Sequence, residues 1–168
     1  MAKQLILVRH GKSDQHTESG KSDFDRPLNH RGNKNAPEMA ERLIKKNLVA
    51  ELIVSSPAKR ALTTAQHFAE VWEIPKKSIQ LEPTIYEANT TALLKVVNRL
   101  DNDFDRIALF GHNPGLTDFI NYLADAHVYN LPTAGLVVID FPFDDWLLIS
   151  RHTGNLLLLD SPKNGDDD

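Results

Sequence analysis

Two histidines each follow a short apolar run and sit beside a glycine, in Arg9-His10-Gly11 and Gly111-His112-Asn113. A neutral imidazole is populated at physiological pH, so its ring lone pair can attack phosphorus. Arg9 stands next to the first histidine, and Arg60 lies in Ser55-Ser56-Pro57-Ala58-Lys59-Arg60. Their planar guanidinium groups can offer paired hydrogen bonds to a compact dianion, which lysine does poorly. Positive charge near His10 also disfavours its protonated form and keeps the lone pair available. His112 can bind a phosphoryl oxygen and, when protonated, stabilise the charge that spreads over the group in transfer. Together these types suit phosphoryl transfer to His10 in a pocket made by Arg9, Arg60 and His112.

Elements with free ends on one edge must gather these residues. Leu5-Ile6-Leu7-Val8 is a continuous apolar run, as expected of a strand buried on both faces, and it ends at Arg9-His10. Leu52-Ile53-Val54 reads as a second such strand. Pro57 is acceptable as an early residue of the helix that follows to about Trp72, placing Arg60 in its first turn, where free amides favour an anion. Ile107 to Phe110 reads as a strand ending at Gly111-His112, and Ile79 to Leu81 as another. Asn29 can cap a helix through Leu48, despite Pro37, and Asn89 or Thr90 one through Leu100. A further helix is predicted over Leu116 to Ala124 and a strand over Leu136 to Ile139. Trp146 to Ile149 and Leu156 to Leu159 read as late strands forming a hairpin. The alternation predicts an α/β, three-layer α/β/α sandwich with a mostly parallel central sheet, and a site at the carboxyl ends of its strands.

The remaining composition narrows the function. A chain of 168 residues that is 41% hydrophobic is expected to form one domain, over residues 1–163, followed by a disordered acidic tail over 164–168. A net charge of −4 with dispersed basic residues argues against a nucleic-acid partner. The absence of cysteine excludes thiolate nucleophiles and disulfides. The first apolar run is cut off by Arg9 too early for a signal peptide or membrane span, so a cytoplasmic protein without a membrane partner is expected.

Arg9-His10-Gly11-Lys12-Ser13 resembles the R-H-G motif of the histidine phosphatase superfamily, which also contains phosphoglycerate mutases. Ser55 to Ala65 resembles its second signature, and Gly111-His112-Asn113-Pro114-Gly115 its second-histidine signature. The compact length, Asp25-Arg26-Pro27-Leu28 before Arg31-Gly32, and Tyr86-Glu87-Ala88 are similar to the SixA-type phosphohistidine phosphatases. The resemblance implies the histidine phosphatase (phosphoglycerate mutase-like) fold, a phosphohistidine intermediate on His10, and no metal or other cofactor. It implies a signalling role in which phosphohistidine on a histidine phosphotransfer domain is the substrate, and the enzyme is expected to be a monomer. Glu87 matches the region where many members carry the acid that protonates the leaving group. An imidazole leaves more readily than an alkoxide, so for phosphohistidine Glu87 is either dispensable or an activator of water. His16 stands where mutase-like members often place asparagine, and it either binds phosphate or points into solvent.

Other readings compete. A phosphomonoesterase for small phosphorylated metabolites would use Glu87 as acid, and a non-catalytic module that binds phosphoproteins would need no nucleophile. Gly11-Lys12-Ser13 imitates the end of a P-loop, but Ile6 stands where the earlier glycine is required. Asp23-Phe24-Asp25 imitates a metal-binding aspartate pair, but follows a polar stretch rather than a buried strand. Lys12 to Arg26 reads as an exposed loop with Ser13 a simple loop hydroxyl. His30, His67, His127 and His152 read as structural or exposed.

Overall fold

The computed structural model describes residues 2–15 and 22–162. The predicted tail over 164–168, His16 and the middle of the loop after the first strand lie outside the described residues. Six strands form one sheet: β1 (Lys3–Arg9), β2 (Leu52–Ser55), β3 (Gln80–Leu81), β4 (Arg106–Gly111), β5 (Leu136–Phe141) and β6 (Asn155–Asp160). Among the described residues four α-helices accompany them: α1 (His30–Lys45), α2 (Lys59–Trp72), α3 (Thr90–Asn98) and α4 (Gly115–Ala124).

The strand order is β3-β2-β4-β1-β5-β6, with parallel pairings from β3 to β1 and antiparallel pairings on both sides of β5. The sheet is therefore mostly parallel, as the alternation predicts. Side chains of β1 leave the sheet alternately: Leu5 and Leu7 join a core with Leu93, Val97, Phe119 and Ile120 of α3 and α4. Ile6 and Val8 join the opposite core with Met39 and Leu43 of α1 and Phe68 of α2. All four β1 residues are fully buried, which explains why the strand needs an unbroken apolar run. Register brings the carboxyl ends level, since Arg9 faces Gly111 across β1 and β4 and Ser55 faces Phe110 across β2 and β4.

The helix caps follow their sequence signals. Asn29 accepts from the Gly32 amide and Asn89 from the Ala92 amide, so α1 and α3 start where predicted. Helix α1 ends at Lys45 and not at Leu48. Asn47 takes a φ of 58° and the Leu48 amide returns to the Leu43 carbonyl, which closes the helix. Pro37 lies inside α1 without ending it. A mid-helix proline costs about 3 kcal/mol, whereas burying Met39 and Leu43 contributes roughly 1.5–3 kcal/mol each. Pro57 precedes α2 and is not a helical residue, because the chain enters the helix through Ala58.

The predicted hairpin over Trp146 to Ile149 and Leu156 to Leu159 is incorrect. Trp146–Leu148 is a single 3-10 turn capped by Asp145, which accepts from the Leu147 amide. The Trp146 ring is buried and its Nε1 donates to the Phe104 carbonyl, while Asn98 Nδ2 donates to the carbonyls of Trp146 and Ile149. Trp146 and Ile149 thus plug one end of the core while Leu147 and Leu148 stay exposed, and Leu156 to Leu159 lies in β6, which pairs with β5.

Gly32 in the first turn of α1 presses on the segment after β1. A Cβ there would stand 2.3 Å from the Lys12 carbonyl oxygen and 2.9 Å from the Lys12 nitrogen, both main-chain atoms. Gly32→Ala is expected to cost roughly 1–3 kcal/mol by overpacking, which for a chain of this size lowers Tm by about 2–12 °C, measured by thermal denaturation followed by circular dichroism.

Candidate active site

The level ends of β1, β2 and β4 bring His10, Ser56 and His112 together, and the first turn of α2 adds Arg60. His10 follows β1 and is 7% exposed; its amide donates to the Gly111 carbonyl and its carbonyl accepts from the Ala134 amide. Both main-chain groups of His10 are therefore committed to neighbouring segments. Arg9 Nη1 donates to the Leu131 carbonyl at 2.9 Å, so the segment entering antiparallel β5 also serves the site. Thr64 ties α2 to β1: its hydroxyl accepts from the Gly11 amide at 2.9 Å and donates to the Arg60 carbonyl at 2.8 Å.

The His10 ring is oriented at both nitrogens. Nδ1 lies 2.7 Å from the Gly11 carbonyl oxygen, which can only accept, so Nδ1 carries the proton of the neutral ring. Nε2 is then a lone pair, and Arg60 Nε–H points at it from 3.4 Å. The rings of His10 and His112 are 5.3 Å apart. His112 Nε2 lies 2.8 Å from the Ser56 hydroxyl, which also accepts from the Ala58 amide at the start of α2. His112 Nδ1 is buried and has no hydrogen-bond partner among the described residues.

Burial holds the His10 pKa well below the ordinary histidine value; the Gly11 hydrogen bond opposes this, and His112, Arg60 and Arg9 add to it by charge. His10 is thus neutral at physiological pH, as its neighbours in the sequence predict, although desolvation outweighs the arginines. His112 is lowered to about 4, again first by burial and then by Arg60, against an opposing pull from Asp23. It is also neutral at pH 7 in the unliganded site.

Several site residues escape sequence reasoning. In the sequence Asp23 shows only an imitation of a metal-binding pair, yet its carbonyl accepts from Arg60 Nη1 at 2.6 Å and its Oδ2 accepts from Arg60 Nη2 at 3.0 Å. Tyr86 donates its hydroxyl to the same Oδ2 at 2.7 Å, and Arg26 Nη2 donates to Oδ1 at 3.1 Å. These bonds, that from Tyr86 foremost, hold the Asp23 carboxyl well below the usual carboxylate range. Asp25 instead accepts from the Ser22 hydroxyl, so the two aspartates do not converge. Ser13 is not a simple loop hydroxyl: it is buried, donates to the Pro27 carbonyl and accepts from Arg26 Nη1. Only the Arg26-Pro27-Leu28 stretch of the resemblance signals that this segment returns to the site.

A cavity of about 500 Å³ is lined by Arg9, His10, Ser13, Asp23, Arg26, Arg60 and His112, among others. His10 and the three residues expected to form its phosphate pocket, Arg9, Arg60 and His112, therefore share one cavity. Beside it, a second cavity of about 460 Å³ also touches Asp23, Arg60 and His112 and continues to Tyr86, Glu87, Asn89, Pro114 and Asp118. Glu87 lines this second cavity, is exposed, and has a φ of 59°. His30, His67, His127 and His152 line neither cavity. No group of three His, Cys, Asp or Glu among the described residues is placed to hold a metal ion. No helix among the described residues is long and apolar enough to cross a membrane.

The depressed histidines link stability to pH. Below the ordinary value of 6.5 the unfolded chain takes up a proton at position 112 that the folded chain refuses until about pH 4. Stability is therefore full above pH 6.5 and falls as pH drops toward 4. Urea denaturation across this range should show that decline, and His112→Asn should make it shallower; an identical slope in both proteins would contradict the assignment.

Comparison with known proteins agrees with this geometry. A sequence profile described as the histidine phosphatase superfamily (branch 1) matches residues 5–94, more than half of the chain. An uncharacterized protein of Picosynechococcus is 31% identical over 167 residues, covering 95% of this chain and 97% of its own. Among solved structures, the protein histidine phosphatase SixA complexed with tungstate superposes with a TM-score of 0.80 at 20% identity, covering 96% of this chain and 98% of that one. A SixA protein from Agrobacterium tumefaciens gives 0.79 at 24% identity, over 96% and 99%. A mycobacterial glucosyl-3-phosphoglycerate phosphatase gives 0.74 at 16% identity, over 96% and 100%. With a match that spans Arg9, His10 and Arg60 over more than half of its length, the chain belongs to the histidine phosphatase superfamily, branch 1.

Proposed function

We propose that the protein is a phosphohistidine phosphatase that hydrolyses phosphohistidine on a histidine phosphotransfer protein through phosphorylated His10. Family membership supports a phosphatase with histidine-based catalysis. The observation that carries the finer reading is the second cavity beside the phosphate pocket. Glu87, Asn89, Pro114 and Asp118 on its wall are all exposed, so it opens to the surface where a side chain of another protein can enter. The described segments bordering the site, 22–29, 56–58, 82–89 and 112–114, contain nothing larger than a single 3-10 turn.

In the proposed reaction His10 Nε2 forms a bond to phosphorus as the substrate's P–N bond breaks. The departing imidazole keeps the electron pair and takes a proton from solvent or from Glu87. Water then attacks phosphorus, the bond to Nε2 breaks, and inorganic phosphate leaves with His10 neutral again. Arg9 and Arg60 supply positive charge to the phosphoryl oxygens throughout. The orphaned His112 Nδ1 would be satisfied by a phosphoryl oxygen when Ser56 donates its one proton to Nε2. A bound dianion would also raise the His112 pKa from about 4 toward neutrality and let the ring take up positive charge. In this reading the enzyme works as a cytoplasmic monomer without metal.

Glu87 on the wall of the second cavity favours one alternative, a phosphomonoesterase for small phosphorylated metabolites, because an alkoxide needs an acid on that side. Turnover of a phosphorylated phosphotransfer domain against a metabolite panel, run with a chelator, separates the two. Preferential turnover of the phosphoprotein, unaffected by chelator, is expected; selective turnover of a metabolite would overturn the reading. His10→Ala should lower the rate by at least about 10³-fold, as for loss of a nucleophile that works as a unit with its pocket. Glu87→Gln should reduce phosphoester hydrolysis by about 10²-fold or more and phosphohistidine hydrolysis far less, measured as kcat/KM on an alkyl phosphate, whose alkoxide leaving group needs a proton, and on the phosphoprotein.

A further inference from the structure

Arg60 has five N–H donors, and their present distribution is uneven. Nε faces His10 Nε2 at 3.4 Å, while both terminal nitrogens are taken by one residue, Nη1 by the Asp23 carbonyl and Nη2 by the Asp23 carboxylate. Asp23 therefore grips the far side of the guanidinium and leaves the edge containing Nε turned toward the nucleophile. The grip is itself braced, because Tyr86 and Arg26 each donate to the same carboxylate. Phe24 packs edge-on against Tyr86 at 5.2 Å, and Tyr86 edge-on against His112 at 5.6 Å. The backbone adds a further tie, since the Lys59 amide in the first turn of α2 donates to the Phe24 carbonyl at 3.0 Å. Residues 23 and 24 thus meet α2 through main chain and side chain together.

We propose that Asp23 is a positioning residue, which acts through Arg60 to hold the guanidinium edge and the His10 lone pair in the alignment needed for phosphoryl transfer. The proposal rests on the reading of His10 as nucleophile. A carboxylate bound to Arg60 could instead be an occupant that phosphate must displace. The geometry favours positioning, because two further N–H groups of Arg60 remain beyond those given to His10 and Asp23, and the bonds to Asp23 lie on the terminal nitrogens and not on Nε. Positioning of this kind matters because a misplacement of about 1 Å can cost about 10²-fold in rate.

The two roles predict opposite kinetics. If Asp23 positions Arg60, Asp23→Ala lowers kcat by about 10–100-fold, with Ki for inorganic phosphate unchanged or lower because a nearby negative charge is gone. Asp23→Asn keeps an acceptor for Nη2 and should recover much of the lost kcat. If Asp23 is a displaceable occupant, Asp23→Ala raises kcat/KM, which would overturn the proposal. Unchanged kcat in a variant with unchanged Tm would also overturn it. Failure of the functional reading is separately visible as no turnover by the wild-type protein, and in that case an NMR readout still decides. The Arg60 Nε–H resonance should be protected from solvent exchange in wild type and lose protection in Asp23→Ala; equal protection in both would contradict the positioning role.

Discussion

The hydrogen bond between His10 Nδ1 and the Gly11 carbonyl, 2.7 Å long, decides which ring nitrogen can react. It fixes the proton on Nδ1 and leaves Nε2 bare toward Arg60, His112 and the cavity. Such a bond requires the main chain around Gly11 to be immobile. Gly11 is held by the Thr64 hydroxyl from α2, His10 by Gly111 of β4 and by Ala134 before β5, and the adjoining Lys12 by the close approach of Gly32 in α1. Four segments thus hold the main chain on either side of that carbonyl, and the packing around the sheet is what keeps the lone pair aimed.

Burial also keeps the same ring unprotonated. A histidine in water would spend part of its time protonated at neutral pH, whereas the desolvated His10 is neutral. Buried charge is costly unless paired, and the site meets this on the arginine side with Asp23, whose carboxylate and carbonyl receive Arg60 while Tyr86 and Arg26 complete its coordination. Asp23 and Asp14 offset only part of the positive charge of Arg9, Lys12, Arg26 and Arg60 around the pocket, and in the proposed reaction a phosphoryl dianion enters a ring of donors whose positions are set before it arrives.

What could be read in the sequence was whatever a single segment declares by itself. The runs ending at Arg9-His10, Ser55-Ser56 and Gly111-His112 announce buried strands with polar termini, and asparagines 29 and 89 announce helix starts. Asp23, by contrast, sits in a polar stretch and gains its role only when the chain folds back onto α2. Nothing local distinguishes it from the nearby Asp25, which faces Ser22. Trp146-Leu147-Leu148 misled for a related reason: an apolar run satisfies a strand and a core plug equally, and the choice is made by Asn98 and Phe104, about 40 residues away or more.

The central claim, that His10 accepts the phosphoryl group through Nε2, is tested most directly by rapid quenching of the protein with a 32P-labelled phosphotransfer domain, followed by peptide mapping and 31P NMR of the labelled peptide. The account predicts an acid-labile, base-stable phosphoramidate on the Nε2 atom of His10. Label on Nδ1 or on another residue, or turnover without any transient label under conditions where water attack is slowed, would contradict it.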